Sequence, residues 1–152
     1  MKNMLLITFA VAAVPVLAVA EPKKSASPDL MGIQGTWKIV SYARDGKAAD
    51  EPVGMIVEFT ESKVTIKPRD GRKQREGTYK LDPNVIQKQF DLTIEEGGES
   101  KVAQNIYKLE GDRLTICFSE PGRDLGRPTT FEVNEGDKFE LLVLERVKPA
   151  ED

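Results

Sequence analysis

From residue 35 onward the apolar residues of this chain recur at every second position, in short runs separated by glycine-containing turn signals. Met55, Val57 and Phe59 alternate with Glu58 and Thr60, and Phe90, Leu92 and Ile94 alternate with Asp91 and Thr93. Leu114, Ile116 and Phe118 stand in the same way against Thr115 and Cys117. Successive side chains of a strand point to opposite faces, so each run offers one face to a core and the other to water. Between the runs lie Asp45-Gly46, Asp70-Gly71, Glu96-Gly97-Gly98, Glu110-Gly111-Asp112 and Glu135-Gly136-Asp137, where glycine can take the positive φ of a tight hairpin. The pattern predicts an all-β fold with strands near 35–43, 54–60, 63–68, 76–81, 88–95, 103–109, 113–118, 128–134 and 138–147. Asp82 to Gln89 is the one segment with any helical character. It opens Asp82-Pro83-Asn84 and is too short, so it reads as a loop entering a strand.

Strands that follow one another as hairpins must hide their edges, and consecutive connections favour an antiparallel up-and-down β-barrel of eight to nine strands over a sandwich with long crossovers. Its inward candidates are mostly large: Trp37, Ile39, Met55, Phe59, Tyr79, Phe90, Leu92, Ile94, Tyr107, Ile116 and Phe118. Side chains of that size fill most of an eight-stranded interior, which leaves room for a small pocket at one open end.

Composition narrows the chemistry. None of the 152 residues is histidine, which removes the usual general base and the commonest metal ligand. A single cysteine cannot close an intramolecular disulfide or build a thiolate cage, so no metal or cofactor is expected and stability must come from burial. A formal charge of −3 recommends neither nucleic acid nor an anionic membrane as partner. Residues 1–20 read as a secretory signal peptide: Lys2, an apolar run from Met4 through Leu17, then Ala18-Val19-Ala20 for cleavage. The mature form would be periplasmic or extracellular, with no membrane span. Residues 21–31, rich in Pro, Ser and Lys, read as a flexible leader, 32–148 as the domain and 149–152 as a tail.

Gly35-Thr36-Trp37 opens the first strand and Arg146 stands near the end of the last. This resembles the lipocalin and calycin arrangement, in which a first-strand Gly-x-Trp closes one end of the barrel under a late arginine. The stretches Gln34 to Val40, Gly77 to Pro83, Ile106 to Asp112, Leu114 to Phe118 and Arg127 to Phe131 strengthen it. They are similar, in that order, to a family of small exported lipocalin-like domains abundant in planctomycete bacteria. The resemblance implies the fold and, for Gly35, Trp37 and Arg146, a structural role; it brings no activity with it. On the residues alone Trp37 reads as a core plug and Arg146 as its cation–π partner.

Cys117, flanked by Ile116 and Phe118 and without a base to activate it, reads as an inert strand thiol on the water-facing side. Ser119 to Arg127 is the longest loop; Arg123 and Arg127 could hold an anion there or pair with Glu120 and Asp124. The basic cluster Lys67, Arg69, Arg72, Lys73 and Arg75 surrounds one hairpin tip without interleaved aromatics and reads as a solvated turn, not a nucleic-acid platform. The carboxylates of Glu58, Asp91 and Glu132 lie opposite the apolar faces of their strands, so paired-carboxylate catalysis has no support and no enzyme is expected. Two functions stay open. One is binding of a small apolar or amphipathic ligand in the open end, with Phe59, Tyr79, Phe90 and Tyr107 as walls and Arg127 near the mouth. The other is an interaction module or inhibitor in the cell envelope, with a filled core and a protein partner.

Overall fold

Asp45 and Gly46 have φ of 57° and 71°, the two left-handed residues that a two-residue hairpin demands, and they turn β1 (Gly35–Arg44) into β2 (Lys47–Ala48). The computed structural model describes residues 27–150, so the expected signal peptide and most of the leader lie outside the described residues. After β2 the chain continues through β3 (Ile56–Phe59), β4 (Lys63–Lys67), β5 (Arg75–Asp82), β6 (Gln89–Glu96), β7 (Glu99–Glu110), β8 (Arg113–Phe118) and β9 (Glu140–Arg146). From β3 onward each strand pairs antiparallel with the next, β3 pairs with β1, and β9 returns to pair with β1. Eight strands therefore close into a barrel, and β2 is a short extension on β1.

Before the barrel stands α1 (Pro28–Ile33), where a flexible leader is expected from the sequence. The start signals are local: Ser27 accepts a hydrogen bond from Leu30 N at 3.1 Å, Pro28 opens the helix and Asp29 lies in its first turn. Six residues cannot sustain a helix alone, so packing on the barrel has to hold it. Ile33 is fully buried, and its carbonyl accepts from Trp37 Nε1 at 2.7 Å. Arg146 donates to the carbonyls of Gly32 and Gln34, two further acceptors at the helix end. Tyr107 Oη and Lys88 Nζ each donate at 2.7 Å to the Asp29 carboxylate. The helix is thereby the stopper of the barrel's closed end.

No strand forms over 128–134. Because β9 pairs with β8 on one side and β1 on the other, the barrel closes without this segment, and the part of β7 left beyond β8 is taken by 119–127. The whole stretch 119–139 runs instead as a belt along the outside. It first covers the part of β7 that outlasts β8: Ser119 N donates to Asn105 Oδ1, Gly122 N to the Val102 carbonyl and Arg127 Nη1 to the Asn105 carbonyl. Gln87 then holds the Thr129 carbonyl, Phe131 lies under the Lys108 ammonium at 5.7 Å, and Gly136 N reaches Asp45. Ile106 and Cys117 face each other across β7 and β8 on the outer surface, yet neither has any exposed area. The belt thus corrects the water-facing expectation for Cys117.

Trp37 is completely buried, so Trp37→Ala is expected to cost about 3–5 kcal/mol in urea unfolding followed by circular dichroism. Arg146→Lys keeps the charge but cannot reach ring, carbonyls and Asp112 together, and a loss of about 1–3 kcal/mol is expected, read by the fluorescence of the sole tryptophan. Burial pushes the Asp29 carboxyl up, but the bonds from Lys88 and Tyr107 and the Lys88 charge outweigh it, leaving the pKa below the ordinary 3.8. A carboxyl depressed by folding adds stability above its unfolded value and loses it as pH falls through the folded one. The stability advantage of the wild-type chain over Asp29→Asn should be constant above about pH 5 and shrink as acid takes the solution below about pH 4.

Candidate functional site

Along β1 the inner-face residues Trp37 and Ile39 begin at the stoppered end, and Phe59 on β3, Phe90 on β6 and Tyr107 on β7 lie toward that end of their strands. Phe59, Tyr79 and Phe90 meet halfway up. Tyr79 stacks on Phe90 with centroids 5.7 Å apart and a 13° interplanar angle, while Phe59 meets both edge-on at 5.3 and 6.1 Å. The Tyr79 hydroxyl points to the closed end and donates to the Thr60 carbonyl at 2.6 Å. Burial pushes its pKa up to about 12, which keeps it a neutral donor.

Above this aromatic floor the barrel is hollow. A cavity of about 460 Å³ opens at the end where β3 and β5 begin and β4 ends. Ile39, Met55, Val57, Val64, Ile66, Leu92, Ile116, Phe118, Leu142 and Leu144 form its walls, with Phe59 and Phe90 beneath. Such a size and an almost wholly apolar lining are those of small-molecule sites. The rim is charged: Glu51, Arg72, Lys73 and Arg75 stand there beside Pro52 and Pro68. Arg72 ties the two rim loops together, paired with Glu51 on one and with Asp70 on its own, the latter at 2.6 Å. Gly54, at φ 88°, lets the first loop lie against the Arg69 side chain, which a Cβ there would meet at 2.8 Å. On the far side of the same end, Glu140 is nearly buried and already matched by Arg44 at 2.5 Å.

Of the five residues expected around a ligand, the structure brings Phe59 and Phe90 to the cavity. Tyr79 and Tyr107 do not line it: Tyr79 packs behind Phe59 and Phe90 with its hydroxyl on the Thr60 carbonyl, and the Tyr107 phenol is spent on Asp29. Arg127 is outside the barrel altogether. Its Nη1 lies 2.7 Å from both the Asn105 carbonyl and Asp91 Oδ1, and its N–H is aimed at the carbonyl, so the Asp91 contact is one of charge. The mouth assignment fails because the 119–127 stretch covers the free edge of β7 and never crosses the opening. Arg123 pairs with Glu120 at 3.0 Å. Gly35, Trp37 and Arg146 come together at the closed end, with the guanidinium 4.3 Å from the indole centroid. Gly35 has φ 114°, and a Cβ there would press on Arg146 Nη1 at 3.2 Å. Burial pushes the Cys117 thiol up to about 11, with Asp137 adding to the effect, which leaves it protonated and unreactive at neutral pH.

Sequence reasoning read the cations of the rim, Arg72, Lys73 and Arg75, as part of a solvated turn and did not connect them with the barrel opening. The signal was present in β5, where Arg75 has the same parity as the inward Tyr79 and Leu81. Lys73 and Arg75 also border a shallower, more polar depression of about 630 Å³ around Gly77 and Thr93–Glu96, which lies open to solvent. Among the described residues no helix is long and apolar enough to cross a membrane.

The model of the lipocalin-like domain family matches residues 33–116, more than half of the chain, from the end of the stopper helix into β8. No curated protein and no solved structure matches the chain. An eight-stranded antiparallel barrel, stoppered at one end and hollow at the other, is the architecture that this match implies, and the chain belongs to the lipocalin-like domain family.

Proposed function

We propose that this protein is an exported binding protein that takes a small apolar or amphipathic molecule into the open end of its barrel, without catalysing a reaction on it. The cavity of about 460 Å³ carries this reading, because apolar walls that large are kept free of side chains in a fold otherwise packed to its floor. The non-enzymatic part is supported by the lack of histidine and, among the described residues, by the absence of any polar pair lining the apolar hollow below its rim. Export is supported by the Lys2, Met4–Leu17 and Ala18-Val19-Ala20 pattern. The alternative of an envelope interaction module rests on a filled core, and the hollow upper barrel favours the first reading.

Titration with the uncharged fluorophore N-phenyl-1-naphthylamine tests the pocket. One probe per chain is expected, with its fluorescence enhanced. Leu92→Trp, which places an indole in the hollow, should weaken uptake at least about tenfold while the protein stays folded. Equal uptake by the folded variant would remove the cavity as the site. Export is read separately: intact-mass measurement of protein recovered from its own host should give a chain beginning at Glu21.

A further inference from the structure

We infer that the ligand is an amphipathic anion, its apolar body in the hollow and its negative group at the rim on Arg75 and Lys73, with Arg72 alongside; this rests on the binding function proposed above. Arg75 carries the argument. It faces Ile66 across the β4–β5 pair, and residues paired directly across antiparallel strands share a face, so Arg75 occupies an inner-face position. Below it on the same face of β5 come Gly77, Tyr79 and Leu81. The inner face of that strand thus ends in a guanidinium whose methylenes extend the apolar wall and whose head stands at the opening.

The local charge is at odds with that of the whole chain. The cavity's charged lining is three cations against the single carboxylate of Glu51, a surplus of two positive charges in a protein whose net charge is −3. Glu51 is already neutralised by Arg72. Among the described residues no carboxylate lies within ion-pair distance of Lys73 or Arg75; Glu96, the acid whose pKa responds to Arg75, is bonded to Lys101 at 2.6 Å. Two unengaged cations above an apolar hollow match a molecule with an oily body and an anionic end. Planar guanidinium forks suit carboxylate oxygens in particular, and a low-dielectric wall beneath them strengthens the attraction.

The test is calorimetric titration of the mature protein with three probes of equal tail, decanoate, decanol and decyltrimethylammonium, in low-salt buffer at neutral pH. Decanoate is expected to bind at least about tenfold more tightly than decanol, and the cation more weakly than either. The double variant Lys73→Gln, Arg75→Gln, confirmed folded by its melting curve, should abolish the preference, so that decanoate and decanol bind with equal affinity. Shortening the tail from decanoate to octanoate should weaken binding by about fifteenfold, near fourfold for each methylene withdrawn from the hollow. Equal affinity for decanoate and decanol, or a preference that survives the double variant, overturns the anion assignment and leaves the pocket standing. No heat with any probe, together with no uptake of N-phenyl-1-naphthylamine, overturns both.

Discussion

Arg146 holds the closed end of this barrel together. One guanidinium lies over the Trp37 indole, donates to the carbonyls of Gly32 and Gln34, and pairs with Asp112 at 3.0 Å. These partners come from three parts of the chain: the end of the stopper helix, the first strand and the β7–β8 turn. A lysine point charge could serve any one of them, but only a planar fork with five donors serves all at once. Gly35 gives the guanidinium room, and β1 and β9 are brought into register at Trp37 and Arg146. The contact that stoppers the barrel is therefore also a rung of the pairing that closes it.

That arrangement divides the interior by height. Near the stopper, Trp37, Tyr107 and Ile33 are fully buried, and the polar ends of the two aromatics are satisfied within the plug. Tyr79 repeats the device one layer higher by turning its hydroxyl down to Thr60. Above the Phe59–Phe90 layer no such bond crosses the barrel, and the walls are aliphatic apart from those rings and Phe118. The rigid lower half and the belt over β7 and β8 supply the support that lets the upper half stay open. A hollow of this size sacrifices dispersion contacts that a filled core would have, and the plug below it carries the compensating packing.

Strand order and most strand limits were legible because period-two alternation and glycine turns are local signals; eight of the nine elements read from them correspond to strands of the barrel. The ninth, 128–134, alternates as well as its neighbours, through Phe131 and Val133, but alternation records only that a segment has two unlike faces. Whether it finds a pairing edge depends on closure elsewhere, and β9 had already taken the last edges. The stopper helix was illegible for the converse reason. Ser27-Pro28-Asp29 is a sound helix start, but six residues have no helical stability of their own, so their structure is decided by Trp37 and, far along the chain, Tyr107 and Arg146. The cavity walls were half legible: parity finds the inner face of a strand and says nothing of height, so Tyr79 and Tyr107 cannot be told from Phe59 and Phe90 until the barrel has a top and a bottom.

Departures from alternation carry information of a different kind. Several inner-face positions at the open end hold charges, among them Glu140 on β9 with Arg44 opposite it on β1, Glu96 on β6 with Lys101 on β7, and Arg75 on β5. Glu140 is covered and is met by Arg44, with the Tyr42 hydroxyl beside it, a self-contained cluster that seals one side of the rim. Arg75 is exposed and, among the described residues, has no carboxylate at ion-pair distance. A buried charge must be matched inside the protein or it could not be buried, whereas a charge at an opening can be left for whatever enters. The two sides of the rim obey the same electrostatic rule, and they differ in that one is complete within the chain while the other would be completed by the anion proposed above.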